Sequence, residues 1–266
     1  MKRLAWATDM HLNFVSDADV EAFSRSIVAL SPDAVALGGD IGDAGSVLRY
    51  LAILDGILTC PVYVVLGNHD YYGGSIREVQ QHVAAYCAQS LHLCWLPAAG
   101  VVPLSDQTAL IGHGGWADAR YGTYARSGVR LNDYRRIAEL TGLTHDERRR
   151  VLARLGDEAA AYVAEVLPQA LASVSHVVLL THVPPFREAC WHEGQVSDDT
   201  YLPHFACKAM GDVLLATLRE HPDRKLTVLC GHTHSGGIAH PLPNITARTG
   251  TSTYGKPTLQ MILDVE

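Results

Sequence analysis

The chain has 266 residues, 48% of them hydrophobic, and its 21 Lys+Arg stand against 28 Asp+Glu for a formal charge of −7. That is enough apolar sequence for a substantial core, and the acidic balance argues against a protein that grips nucleic acid over a broad basic surface. Six scattered cysteines with no CxxC pair exclude a disulfide framework and point to a reducing cytoplasm, and no apolar run approaches membrane-spanning length.

The N-terminal "MKRLAWATDMH" enters a strand-like run directly, without the apolar stretch of a signal peptide. An amphipathic helical run over 17–30, a strand in "DAVALGGD", a helical run near 46–58 and a strand in "PVYVVLGNHD" follow. This β-α-β-α-β order predicts a largely parallel sheet with helical crossovers. Beyond a helix near 75–89, short strands are expected in "LHLCWL", "GVVPL" and "TALIGH". Two segments read as elaborations: residues 116–173, irregular and rich in Arg and Tyr before an Arg-rich helix from about 145 to 173, and the loop 187–204. Between them "HVVLLTHVPPF" carries a buried strand stopped by Pro184 and Pro185. A helix to about 220, the strand "KLTVLC" and two closing strands of antiparallel character, "NITARTG" and "PTLQMILDV", complete one expected domain over 1–266.

Each core strand stops at a polar cluster: Asp9/His11, Asp40/Asp43, Asn68/His69/Asp70, His182, and His232/His234. In open α/β sheets ligands gather outside the carboxyl ends of strands, so these side chains converge on one rim. His232 and His234, two apart in an extended stretch, can face one space. Carboxylate, amide oxygen and imidazole without thiolate suit Mn, Fe, Zn, Ni or Mg. The set is too large for one ion and divides between two if a carboxylate bridges. Asp40 is the natural bridge, because its strand is expected between those bearing Asp9 and Asn68.

In order, "DMH", "GDIGD", "GNHD", the lone histidine of "THVPP", and "GHTH" resemble the five motif blocks of the calcineurin-like metallophosphoesterase superfamily, across nearly the whole chain. The resemblance implies a four-layer α/β/β/α sandwich, two mixed sheets flanked by helices, with the metal site at the strand carboxyl ends. It implies one metal on Asp9, His11, Asp40 and His234, and another on Asp40, Asn68, His182 and His232. It also implies hydrolysis of a phosphoester by a hydroxide shared between the ions, which are Mn, Fe or Zn. His69, no ligand in the family pattern, would protonate the leaving oxygen or stabilise charge there, with Asp70 orienting its ring.

The protein-phosphatase arginine is missing after Asp43, and "DMHL" with "GNHD" resemble the small bacterial phosphodiesterases. The expected substrate is therefore a small-molecule diester. The rivals are a small-substrate phosphomonoesterase, a nuclease and a non-catalytic scaffold of the same fold. Arg120, Tyr121, Tyr124 and Arg126 are candidate substrate contacts on the long loop, and Trp191, His192 and His204 a candidate opposite wall. His113 reads as a hydrogen-bonded loop histidine, and Asp43 as either a turn residue or a support for the Asp40 loop.

Overall fold

Alternating apolar side chains along the strands build two stacked sheets in the computed structural model, which describes residues 1–266. The chain runs β1 (Lys2–Ala7), α1 (Asp17–Ala29), β2 (Ala34–Gly38), α2 (Val47–Ile57), β3 (Val62–Val65), α3 (Ile76–Cys87), β4 (Leu93–Trp95), α4 (Leu96–Ala99), β5 (Val102–Pro103) and β6 (Thr108–Gly112). It continues through α5 (Asp133–Arg136), α6 (His145–Ser173), β7 (His176–Leu180), a small hairpin of β8 (Trp191–His192) and β9 (Gln195–Val196), and α7 (Lys208–Glu220). It closes with β10 (Lys225–Cys230), β11 (Gly237–Leu242), β12 (Ile245–Thr249) and β13 (Met261–Val265).

The first sheet has the order β13-β1-β2-β3-β4, parallel except for β13 against β1. The second has the order β11-β12-β10-β7-β6-β5, with a parallel centre and antiparallel edges. Side chains of opposite parity enter different cores. Leu4, Trp6, Ala34, Ala36 and Val65 meet Leu110, Val178, Leu180 and Leu229 of the other sheet, whereas Ala5, Ala7, Val35, Leu37, Val62 and Val64 pack under α1, α2 and α3. On the far side Val177, Leu179, Val228 and Cys230 pack under α6 and α7. Strands apolar on both faces must be covered on both, and three apolar layers make the four-layer sandwich.

Helix starts follow local chemistry. Ser16 and Asp19 form a reciprocal capping box at α1, and Thr144 and Glu147 form another at α6, each satisfying backbone N–H groups that the helix leaves free. No helix is long and apolar enough to cross a membrane.

The structure differs from the sequence-based expectations in three places. Strand β12 runs parallel to β10, because the unanticipated β11 turns back on it and supplies the antiparallel partner. The loop 187–204 contains the β8–β9 hairpin. The irregular segment contains α5, tied to the loop after β3 by Gly73 N–H donating to Arg136 O (2.8 Å) and a bridge between Gly74 and Ile137.

Candidate active site

Strands β1, β2 and β3 of one sheet and β7 and β10 of the other end at a common rim, with β2 between β1 and β3. There the chain leaves its strands through left-handed turns: φ is 52° at Asp9, 44° at His11, 51° at Asp40, 71° at His232 and 59° at His234. Such conformations cost about 1–2 kcal/mol each for a residue with a Cβ. Together they approach the whole net stability of an ordinary domain, so the three cores must hold them in place. Close approach is also required. A Cβ on Gly231 would lie 1.8 Å from Asp9 Oδ2, and one on Gly67 would lie 2.2 Å from Asp40 Oδ1.

Asp9, His11, Asp40 and His234 bring one donor atom each within 4.8 Å of one another. His11 Nε2 is 3.0 Å from His234 Nε2 and 3.7 Å from Asp40 Oδ2, and His234 Nε2 is 3.5 Å from Asp9 Oδ1. A second group lies against the other oxygen of Asp40: His182 Nε2 is 3.4 Å from Asp40 Oδ1 and 3.1 Å from Asn68 Oδ1, which is 3.0 Å from His232 Nδ1. In this second group the remaining ring nitrogens are held by carbonyls, His182 Nδ1–H donating to Gly38 O (3.0 Å) and His232 Nε2–H to His204 O (3.3 Å). This leaves the unprotonated nitrogens facing inward, as metal-ligating imidazoles require.

Charge follows burial. Desolvation pushes His11 down to about 2 and His69 and His182 to about 3, so all three are neutral at pH 7. Desolvation raises the Asp40 carboxyl well above its usual range, with the charge of Asp9 next, and burial raises Asp9 against the opposing pull of His234. Lone pairs converging on one another and carboxylates crowded without a counter-charge are the donor set of cations. The residues fit divalent metals.

Asn68, whose oxygen faces both histidines, is oriented by a residue that sequence reasoning missed. Its Nδ2 donates to Asp133 Oδ1 (2.9 Å), which also accepts from Tyr72 Oη (2.6 Å). Asp133 arrives on α5 inside the irregular segment. Its only signal was a lone carboxylate in "LNDYRR", and nothing local distinguishes that from a turn. Thr8, donating to Asp9 Oδ2 (2.6 Å), and Ser252, donating to Asp9 O (2.6 Å), were missed likewise. So was Tyr254, its ring 4.5 Å from that of His11 and 47% exposed.

The His69 ring stacks on Tyr72 (4.3 Å), stands edge-on to His11 (4.7 Å) and places Nε2 4.0 Å from Asp40 Oδ2. Asp70 is bonded elsewhere. Both Asp70 oxygens accept backbone N–H groups, Oδ1 from Ile41 and Gly42 (2.8 Å each) and Oδ2 from Gly67 (2.9 Å), so this carboxylate pins the turns after β2 and β3 together.

The candidate substrate contacts on the long loop have partners of their own. Arg120 is engaged by Asp118 (3.2 Å) and Asp157 (2.7 Å). Tyr124 is buried, stacked on His145 with its hydroxyl on His145 O. Tyr121 packs against the small cluster of Cys190, Leu202 and Ala206, and Arg126 is exposed beside Arg149 along a separate hollow. Of the opposite wall, His204 is buried and bonded to Tyr134 and Ser127, Trp191 packs on Gly237, and His192 alone lines a cavity near the site. His113 Nδ1 accepts the Gly115 N–H (3.0 Å), and Asp43 Oδ1 accepts the Ser46 hydroxyl (2.6 Å) ahead of α2.

Solved structures share this architecture. A dimetal phosphatase from Danio rerio superposes with a TM-score of 0.58 at 13% identity, covering 96% of this chain and 89% of that one. The phosphopantetheinyl hydrolase of Mycobacterium tuberculosis gives 0.62 at 13% identity, covering 94% and 89%. No curated protein matches the sequence at a significant level. The sequence profile of calcineurin-like phosphoesterases matches residues 2–236, and the chain belongs to that family.

Proposed function

We propose that the protein hydrolyses a small phosphodiester with two divalent cations, one held by Asp9, His11, Asp40 and His234 and the other by Asp40, Asn68, His182 and His232. The family's site is dinuclear. The observation that carries the reading is Asp40, whose Oδ2 faces His11 while its Oδ1 faces His182. The oxygen and imidazole donors suit Mn, Fe or Zn. Two such ions, when bound, provide a nucleophile from water at neutral pH and neutralise charge on the phosphoryl oxygens.

The chain's own residues do the rest. Asp133 fixes the Asn68 amide with its oxygen inward. His69, neutral and 20% exposed, presents an N–H to the leaving oxygen from its stack on Tyr72. A diester is favoured because a cavity adjoins His232 where a second substituent can pack, with no cation lining it. One observation favours the monoesterase reading: the Arg136 guanidinium, without an acidic partner, lies 4.8 Å from the Tyr72 ring centroid and could answer a dianion.

Elemental analysis and nitrophenol release on manganese-loaded protein test the proposal. Wild type should carry two equivalents of metal and hydrolyse bis(4-nitrophenyl) phosphate with higher kcat/KM than 4-nitrophenyl phosphate. Asp40→Ala should lose metal and turnover together. Two retained equivalents with near-normal turnover in Asp40→Ala would refute the bridging assignment, and preference for the monoester would select the phosphatase.

A further inference from the structure

Beside the donor cluster lies a cavity of about 230 Å³ lined by His192, Val196, Asp198, Tyr201, Phe205 and Thr233, among others. Its inner wall is Thr233, the residue between His232 and His234. That side chain is buried, at 8% exposure.

Val196, Tyr201 and Phe205 form an apolar wall with two flat rings, and His192, Gln195, Ser197 and Asp198 complete the lining. The Phe205 ring lies 5.1 Å from that of His232 and 6.3 Å from that of Tyr201. Tyr201 is 50% exposed and Val196 38% exposed, so neither owes its position to burial on folding. Asp198 is occupied otherwise, its Oδ1 accepting the Thr200 and Tyr201 amides (2.8 and 3.1 Å). No lysine or arginine lines the space, which is therefore unsuited to a phosphate group. Sites that enclose whole small molecules run from roughly 300 to 1,000 Å³, so this volume suits one substituent. An occupant touching Phe205 and Thr233 sits against the histidine loop, next to where the phosphorus must lie.

We infer that this cavity binds the second esterifying group of the diester: a flat, largely apolar ring, aryl or heteroaromatic, stacked against Phe205 and Tyr201. The inference rests on the hydrolytic reading above and adds its substrate class.

The test uses two diesters that share the nitrophenolate leaving group, methyl 4-nitrophenyl phosphate and phenyl 4-nitrophenyl phosphate, with manganese-loaded protein. Wild type should favour the phenyl ester about tenfold in kcat/KM, mainly through KM. Phe205→Ala should cut that preference below threefold, and so should Tyr201→Ala, a surface change that spares the fold. Equal kcat/KM for the methyl and phenyl esters, or a preference that survives both aromatic substitutions, overturns the cavity assignment and leaves the diesterase standing. Turnover of 4-nitrophenyl phosphate with neither diester cleaved overturns the diesterase reading and the cavity assignment with it.

Discussion

His69 has aromatic and carboxylate neighbours, and no carbonyl holds either of its ring nitrogens. That freedom separates it from His182 and His232, and it sets an expected outcome. His69→Asn should retain both metal equivalents and lower kcat by roughly 10²–10³ for an alkyl leaving group, the range for one hydrogen-bond donor at a developing charge. The loss should shrink for nitrophenolate, which disperses that charge over its own ring; equal losses for both would exclude a role at the leaving oxygen. A second residue-scale prediction concerns His113. Burial pushes it down to about 4, and its Nδ1 accepts the Gly115 N–H. The folded form is neutral where the unfolded chain, near 6.5, takes up a proton. The unfolded state thus binds more protons between pH 6.5 and about 4, and the His113 contribution to stability is lost as pH falls through that window. His113→Asn keeps an acceptor and removes the titration. Its unfolding free energy should fall less than that of wild type over the same range, by at most about 3 kcal/mol, read as a shallower decline in Tm. Parallel Tm curves would show that His113 contributes nothing to acid sensitivity.

At the scale of elements, two glycines make opposite predictions. Gly56 lies exposed in α2, and a Cβ there would meet nothing within 4 Å, so Gly56→Ala should stabilise by about 0.5–1 kcal/mol in denaturant unfolding. Gly231 ends β10 against Asp9, and Gly231→Ala should push that carboxylate out of the cluster, lowering bound metal while destabilising by roughly 1–3 kcal/mol. A Gly231→Ala protein with full metal content would mean that the loop yields at little cost. The same elements show what was legible in the sequence. Strands β1, β2, β3, β7 and β10 announce themselves because each is apolar on both faces and stops at a polar cluster, and α1 and α6 because a cap precedes an amphipathic run. The donor residues were legible for the same reason, since strand ends in a parallel sheet have nowhere to go but one rim. Strand β11 was not, because Gly237 and Pro241 in "GIAHPL" mask an edge strand that pairs only with β12. Nor was the role of Asp133, because its meaning lies in a contact with Asn68 across 65 positions of sequence.

Across the whole molecule the donors are divided between the sheets. Asp9, His11, Asp40 and Asn68 follow strands of the first, and His182, His232 and His234 follow strands of the second. Cations bound among them would therefore tie the two layers together at one end, beyond the apolar contact of Leu4, Trp6 and Val65 with Leu110, Val178 and Leu229. A ligand that binds only the folded state at 100 times its Kd adds about 2.7 kcal/mol. For a chain of this length that is about 5–10 °C in Tm per ion. Chelation should lower Tm by at least that much, and manganese should restore it. An unchanged Tm, with elemental analysis showing the metal gone, would place the ions outside the interface between the sheets.

The pairing of β13 with β1 carries a consequence for the order of events during synthesis. Leu4 pairs with Leu263 and Trp6 with Met261, so an early-made strand takes its outer neighbour from some 260 residues later in the chain. At about 5–20 residues per second, some 260 residues separate the two by roughly 13–50 s. During that interval β1 presents an open edge, and the first sheet, already carrying Asp9, Asp40 and Asn68, can pair with the wrong strand. A nascent chain arrested before residue 258 should be held by chaperones or aggregate through this edge, and one extended past 266 by an unstructured linker should not. The centre that would bind the metals then becomes permanent only once β13 has been made, although most of its donors are made early.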